Sequence, residues 1–359
     1  MTSKMTIKMK NLIVASLFLL FVAAVPAQQP KVTDTQLQIV PVERNLAATV
    51  DRMRNSNDLL WVGYQVAALP AMHFSTCSDW SNSGDSDDDC CGEYHLEQDE
   101  HATHRSNDAP ATRNVYVLLR FEKGDLVKVR SVEAGCHLNA GGVPFAWLPE
   151  VKPEESISYL ADRAKEQSES HRVMDGALLA ISLHAAPEAA QALVQIASSS
   201  AAEHLREQAA FWLAVQRGHE GYLALKSLED KTSEGHFREK LAFDFSLNSD
   251  PAAQDELLHM AKFDPDSKVR EQALFWVAQK AGKRATAALN DAIQNDPETD
   301  VKKKAVFALS QLPKEEGVPQ LIHVAETNSN PVVRKEAYFW LGQSQDPRAL
   351  AFFEQVLKK

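Results

Sequence analysis

The chain has 359 residues, of which 44% are hydrophobic and 24% are charged, and it contains 14 glycines and 16 prolines. This composition is typical of a globular protein and excludes a collagen-like, low-complexity or wholly disordered chain. The net charge of −11 argues against a surface for nucleic acid, so we expect no nucleic-acid partner. At roughly 150 residues per domain, the length predicts about two domains.

The first 27 residues have the pattern of a secretory signal peptide. Three lysines precede an apolar run over residues 12–25, and Val25-Pro26-Ala27 provides the small or aliphatic side chains of a cleavage site. The run is shorter than the ~20 residues that a membrane-spanning helix needs. We therefore expect an exported protein, periplasmic or secreted, with no membrane span once residues 1–27 are removed.

The four cysteines all lie in the first third of the chain, which agrees with export to an oxidising compartment. They are Cys77, Cys90, Cys91 and Cys136. An even number of cysteines in one exported region predicts two disulfides. A bond between the adjacent Cys90 and Cys91 would close a strained ring. Cys77 and Cys136 are therefore each expected to pair with one of these two, and both pairings remain open.

Residues 28–150 are predicted to form a small α/β domain tied by these disulfides. Two segments rich in valine and leucine, residues 115–121 and 126–132, flank a turn in which Gly124 takes a positive φ, and this pattern predicts a β-hairpin. Residues 60–67 are predicted to form another strand, and residues 45–54 a short helix.

An acidic loop is predicted between residues 79 and 100, which hold nine acidic residues and no lysine or arginine. Asp85, Asp87 and Asp89 alternate as in some calcium loops, but Cys90 stands where an EF-hand loop needs glycine. The pattern favours a solvated loop over a calcium site. The spacing of the nearby histidines and cysteines does not favour zinc, and we assign no metal or cofactor. These histidines are His73, His95, His101, His104 and His137.

A period of 32 residues governs the C-terminal part of the chain. Apolar residues recur at this spacing from Val173 to Val333, and again four, eight and twenty positions further on, in all six copies. Within each copy the spacing predicts two amphipathic helices joined by a turn. One such pair cannot bury its own apolar faces, so the copies are predicted to stack into an α-solenoid over residues 151–359. The predicted units are a half-repeat over 154–166 and six repeats over 168–199, 200–231, 232–263, 264–295, 296–327 and 328–359.

Two repeats begin with closely similar motifs: residues 264–273 read DPDSKVREQA and residues 330–337 read NPVVRKEA. These motifs resemble the short HEAT repeats of bacterial proteins, a class that includes the HEAT-like repeats of phycobilin lyases. The resemblance covers residues 154–359 and implies recognition of a protein along an extended surface. Residues 61–64 (WVGY), 90–92 (CCG) and 136–142 (CHLNAGG) resemble the leader domain of exported bacterial HEAT-repeat proteins.

A basic residue follows the first apolar position in five repeats: Arg206, Arg238, Arg270, Lys302 and Arg334. Acidic residues precede two of these bases by six positions. We therefore favour a ladder of charge-assisted hydrogen bonds to the turns between repeats. The alternative is a basic stripe for an anionic partner, so the four arginines also count as candidate partner-binding residues.

A large apolar residue stands six positions after the same anchor in every repeat, about 140° from the core face of the helix. These residues are Leu179, Phe211, Phe243, Phe275, Phe307 and Phe339. They either pack sideways between neighbouring first helices, which we favour, or form a row of aromatic contacts for a partner chain. Trp212, Trp276 and Trp340 follow one position later and are predicted to fill the core.

The sequence holds no nucleophile-elbow, phosphate-loop or dinucleotide motif. A di-iron site like that of deoxyhypusine hydroxylase would need several His-Glu pairs, and His219-Glu220 is the single one. We therefore expect a non-catalytic exported scaffold that binds a protein or a peptide. One alternative is a metal- or ligand-responsive envelope protein that senses through its N-terminal domain, and another is a lyase-like or hydrolytic enzyme with a scattered site.

Overall fold

The computed structural model describes residues 29–69, 93–98, 114–166, 170–199, 202–280 and 282–358. The predicted signal peptide, three of the four cysteines and most of the predicted acidic loop lie outside these residues. Among the residues described, every strand ends before residue 149, and all but one of the helices follow it. No helix in this part of the chain is long and apolar enough to cross a membrane.

The strands of the N-terminal part build two sheets. They are Val32–Thr33 (β1), Leu37–Ile39 (β2), Leu59–Ala67 (β3), Glu93–His95 (β4), Asn114–Glu122 (β5), Asp125–Glu133 (β6), His137–Asn139 (β7) and Phe145–Leu148 (β8). One sheet has the order β2-β8-β3-β5-β6 and the other the order β1-β7-β4. The predicted hairpin is confirmed as β5 and β6, and Lys123 and Gly124 both take a positive φ in its two-residue turn.

Both faces of the five-stranded sheet are buried. On one face, Trp61, Phe145 and Trp147 pack against the three-stranded sheet. On the other face, Val62 and Tyr64 belong to the same hydrophobic core as the helices that follow. Successive residues of a strand point to opposite faces, so β3 contributes to both layers. The core therefore continues across residues 150 and 151, where the sequence predicts a domain boundary.

The helices follow the predicted period. Leu46–Arg54 (α1) lies beside the sheet, and Pro153–Lys165 (α2) matches the predicted half-repeat. The first helices of the six repeats begin 32 residues apart: His171–Leu183 (α3), Glu203–Gln216 (α5), Gly235–Leu247 (α7), Ser267–Lys280 (α9), Thr299–Ser310 (α11) and Pro331–Gln343 (α13). The second helices are Glu188–Ser199 (α4), Gly218–Lys231 (α6), Pro251–Phe263 (α8), Lys283–Asn295 (α10), Lys314–Thr327 (α12) and Pro347–Leu357 (α14). The predicted α-solenoid, with an α/β part before it, is confirmed.

The periodic apolar positions form one continuous core along the stack. Residues from Val173 to Val333 at the anchor position, and those four and eight positions later, are all buried. The last helix differs, because nothing that the structure describes packs beyond it. Phe353 is half-buried there, and Leu357 is 86% exposed although Ile293 and Ala325 are buried at the equivalent position.

The sheet packs directly onto the first repeat. Strand β6 lies against α3, where a Cβ on Gly176 would overlap the backbone carbonyl oxygen of Val129. The chain beyond β3 is hydrogen-bonded to the turn after α3: Leu69 N–H donates to the carbonyl of Leu183, and Ala185 N–H donates to the carbonyl of Ala67. The sheet therefore covers the N-terminal end of the helical stack.

Candidate interaction surface on the first helices

The first helices of the repeats pack more densely against one another than the second helices do. A stack that is more closely spaced on one side curves towards that side, so the first helices line the inner surface of the solenoid. On the outer side the wider spacing opens a groove of about 360 Å³ between α8 and α10, lined in part by Ala287 and Ala288.

Aromatic rings meet in an unbroken row along the first helices, which we call the aromatic ladder. Phe211 stacks on Phe243 with ring centroids 6.3 Å apart, and Phe275 stacks on Phe307 at 6.2 Å. Tryptophans join these stacked pairs, because Trp276 lies 4.7 Å from Phe243 and 4.8 Å from Phe275. In chain order the ladder consists of Phe211, Trp212, Phe243, Phe275, Trp276, Phe307, Phe339 and Trp340.

These ring contacts show that the phenylalanines pack sideways between neighbouring first helices. This is the interpretation that the sequence favours over a row of contacts for a partner. Four of the phenylalanines are nevertheless only half-buried, and Phe339 at the C-terminal end is 55% exposed. The tryptophans of the ladder pack against the core, as predicted. They too are half-buried, because each also contacts a phenylalanine ring of the ladder. The ladder therefore holds the repeats together and still presents aromatic surface. Its assignment to a partner remains a prediction.

The basic residues of the repeats bind the turns between repeats. Arg238 donates two hydrogen bonds to the carboxylate of Asp264, at 2.8 and 3.1 Å, and Arg270 does the same to Asp296 at 2.7 and 3.1 Å. Arg270 also donates to the backbone carbonyl of Asp264 at 2.8 Å. Because both arginines are buried and engaged in these pairs, they act as ties between repeats.

The outer members of this row are less buried. Arg206 binds Glu234 through two hydrogen bonds of 3.0 and 2.7 Å, and Arg334 donates to the carbonyl of Asn328 at 2.8 Å. Lys302 donates to the carbonyl of Gln294 at 3.0 Å. The four arginines thus contact inter-repeat turns and Lys302 contacts the last turn of α10, and a role for the arginines in partner binding stays a prediction.

Two of the nine acidic residues of the predicted acidic loop fall in the described part, and both accept hydrogen bonds from the sheets. Glu97 accepts hydrogen bonds from the buried Arg120 and from the indole of Trp61, at 2.8 and 2.6 Å. Burial acts to raise the pKa of Glu97, but these two hydrogen bonds together with the charges of Arg120 and Lys128 outweigh it and lower that pKa. Glu93 accepts from Thr33 at 2.7 Å. Glu93 and Glu97 therefore bind donors from the sheets while their side chains stay 41% and 35% exposed, and the solvated loop remains a prediction for the other acids.

The N-terminal candidates for metal binding are mostly outside the described residues. His95 lies 3.9 Å from Glu93, and His137 is on the neighbouring strand β7. Cys136 is buried and disulfide-bonded, and its predicted partners, Cys90 or Cys91, lie outside the described residues. Among the residues described, no group of metal-binding geometry occurs in this region.

A buried hydrogen-bonded chain connects the sheet to the solenoid. Tyr64 Oη lies 2.8 Å from Ser156 Oγ, and His184 Nε2 lies 2.9 Å from the same oxygen. His184 Nδ1 lies 2.7 Å from the carbonyl of Ala180, which can only accept, so Nδ1 carries the proton. Ser156 therefore donates to Nε2, and Tyr64 donates to Ser156.

These hydrogen bonds connect a serine hydroxyl to a histidine, as in a serine activated by a base, but none of the three side chains is accessible to solvent. Tyr64, Ser156 and His184 are each 0% exposed. Burial, together with the nearby charge of Arg217, lowers the pKa of His184 to about 4. The arrangement is therefore a structural link between sheet and solenoid. Sequence reasoning missed it, because the three residues come from distant segments with no motif.

Two other groups of side chains have the geometry of a cation site within the described residues, and both lie on the solenoid. One consists of Glu203, Glu207 and His236 on the first helices α5 and α7. The other consists of Glu229, Glu256 and His259 on the second helices α6 and α8. Neither group was identified from the sequence, which gave no reason to pair residues of adjacent repeats.

The family model of HEAT repeats matches this chain over residues 254–338 and 286–359. These residues are HEAT repeats. The first helices keep the same 32-residue spacing back to α3, and α2 precedes them as a single helix. No curated protein is similar enough in sequence to count as a relative of this chain.

Several solved structures are similar to parts of this chain at low sequence identity. Human deoxyhypusine hydroxylase in complex with glycerol is 18% identical, with 56% of this chain and 90% of that chain covered and a TM-score of 0.30. The CpcE–CpcF complex of phycocyanin lyase from Nostoc sp. PCC7120 is 18% identical, with 57% and 81% covered and a TM-score of 0.32. The karyopherin Kap121p bound to the extreme C-terminus of the protein phosphatase Cdc14p is 14% identical, with 53% and 26% covered and a TM-score of 0.36. At these TM-scores none of the three indicates a function for this chain.

Proposed function

We propose that this HEAT-repeat protein is a non-catalytic exported scaffold that binds a protein or a peptide along its first helices. The observation that carries the proposal is the aromatic ladder, which crosses five consecutive repeats and presents half-exposed rings on the inner surface. Aromatic side chains supply large contact area at low entropic cost, so a row of rings suits a partner that offers apolar side chains.

The non-catalytic part of the proposal rests on the chemistry of the described residues. The single serine–histidine–tyrosine chain is sealed in the core, where no substrate reaches Ser156. The arginines of the repeats are used in ion pairs and hydrogen bonds between repeats. What stays exposed on the first helices is apolar and mixed-charge surface, which suits recognition.

Binding is tested with one variant in the aromatic ladder and one matched control on the opposite layer. Phe339 and Leu223 are 55% and 54% exposed, and Leu223 lies on the second helix α6. Affinity capture from the exported fraction uses the wild type, Phe339→Ser and Leu223→Ser. We expect a partner that is retained by the wild type and by Leu223→Ser and lost with Phe339→Ser. Equal retention by all three proteins would contradict a role for the ladder.

The exported location rests on the N-terminal sequence pattern and on the disulfide at Cys136. N-terminal sequencing of the protein from its native host is expected to begin at Gln28, since cleavage is predicted after Ala27. A protein that keeps Met1 and is recovered from the cytoplasm would contradict export while leaving the scaffold proposal open to its own test.

A further inference from the structure

Three side chains from two neighbouring first helices converge on one point of the inner surface. Glu203 and Glu207 lie one turn apart on α5, so their carboxylates share a face of that helix. His236 lies in the first turn of α7. Its Nε2 atom is 3.4 Å from Glu203 Oε1 and 3.6 Å from Glu207 Oε1. His236 therefore lies within ion-pair distance of both glutamates.

The distances match those between the ligands of a bound transition metal. In a tetrahedral zinc site with metal–ligand distances of about 2.0–2.1 Å, neighbouring ligand atoms lie roughly 3.3 Å apart. We propose that Glu203 Oε1, Glu207 Oε1 and His236 Nε2 bind a divalent first-row metal ion of the Zn²⁺ class. Glu203 and His236 are largely exposed, so the fourth position is open to water or to a group from another molecule.

The surroundings of Glu207 support a cation at this point. Lys240 Nζ lies 3.8 Å from the other carboxylate oxygen, Glu207 Oε2, which leaves Oε1 free and helps to orient the group.

The second group, Glu229, Glu256 and His259, also consists of two glutamates and a histidine, but a lysine of the chain already lies among them. Lys226 Nζ lies 3.1 Å from Glu229, 3.0 Å from Asp230 and 3.2 Å from Glu256 Oε1. His259 lies 3.2 Å from the same oxygen of Glu256. The chain's own ammonium group thus occupies the position that a metal would need. At the Glu203 site, Lys240 Nζ instead approaches Glu207 Oε2, which is not one of the three proposed ligand atoms.

Zinc binding to the full-length protein tests the site. After treatment with a chelator, titration calorimetry with Zn²⁺ is expected to show one equivalent bound by Glu203, Glu207 and His236. His236→Ala and Glu207→Gln should each weaken that binding by roughly tenfold or more. His259→Ala is the matched control, because it removes the histidine of the group filled by Lys226, and it should leave zinc affinity unchanged.

Two further measurements separate loss of the site from loss of the fold and report the geometry of the bound ion. Melting curves without metal show that the variants are folded, which is expected because His236 and Glu203 are exposed. Co²⁺ bound at the site should give the strong visible absorption of a tetrahedral ion, and His236→Ala should abolish it. Zinc binding that survives both His236→Ala and Glu207→Gln, or the absence of any binding by the wild type, would overturn the proposal.

Discussion

The junctions between repeats and the junction between sheet and solenoid bury similar apolar side chains but use different polar contacts. Between repeats, the same arginine–carboxylate pair recurs at Arg238 and Arg270. Between sheet and solenoid, a neutral chain through Tyr64, Ser156 and His184 occurs once. Interfaces between similar repeats can reuse the same polar contact. The junction with the sheet occurs once, so its polar contact has no counterpart elsewhere in the stack.

The largest effect is expected from removing a repeated ion pair. The side chains of Arg270 and Asp296 are 8% and 5% exposed, so Arg270→Ala leaves a buried carboxylate without its partner. We expect a loss of about 3–5 kcal/mol in the free energy of unfolding. Arg284→Ala removes an exposed pair with Asp255 and should cost under ~1 kcal/mol. Equal losses in urea unfolding would show that the buried pairs do not tie the repeats.

Close packing at the sheet–solenoid junction predicts a smaller loss. A Cβ on Gly176 would meet the backbone carbonyl of Val129 and lie 3.0 Å from its Cβ, whereas a Cβ on Gly342 would meet nothing within 4 Å. Both glycines lie in first helices, where alanine is favoured by about 1 kcal/mol. Gly342→Ala should therefore stabilise the protein, and Gly176→Ala should destabilise it, with a difference of about 2–3 kcal/mol. Stabilisation by both substitutions would mean that β6 does not press on α3.

The buried histidine makes the same junction sensitive to acid. Burial lowers the pKa of His184 to about 4 in the folded protein, against 6.5 when unfolded. Since the folded state holds the neutral form, its stability is complete above pH 6.5 and falls as the pH drops towards 4. Between pH 7 and pH 5 the wild type should lose about 2 kcal/mol more than His184→Gln. The exposed His323→Gln variant should keep the wild-type dependence, and a dependence unchanged in His184→Gln would contradict this assignment.

The smallest expected effect is the difference in stability loss between replacing a stacked ring of the aromatic ladder and replacing the ring at its C-terminal end. Phe275 stacks on Phe307, whereas Phe339 contacts only Trp340 among the rings described. Phe275→Leu keeps the apolar character and removes the stacking, which should cost about 1 kcal/mol. Phe339→Leu should cost less, and thermal melting compares the two. A larger cost at Phe339 would show that the exposed end of the ladder is structurally required.

The repeated junction could be predicted from the sequence because its apolar positions occur six times. A single apolar residue at Val173 or Val301 means little, but the same spacing in six copies fixes both helices and their buried faces. The arginine ties could also be predicted, since Asp264 and Asp296 recur at a constant distance from the bases.

The single-copy features could not be predicted in this way. Tyr64, Ser156 and His184 are ordinary residues in three separate segments, and only the packing of the sheet on α2 and α3 brings them together. The site at Glu203, Glu207 and His236 depends on how α7 is rotated against α5, and apolar periodicity does not report that rotation. The parallel pairing of β8 with β3 is equally non-local.

The sheet and the first repeat of the solenoid share one hydrophobic core. Hydrogen exchange followed by mass spectrometry in increasing urea measures this directly. Residues 114–133 of the sheet and residues 171–183 of α3 are expected to lose protection together, and residues 331–357, at the uncovered end, to lose it earlier. Loss of protection in the sheet while residues 171–183 remain protected would contradict a shared core.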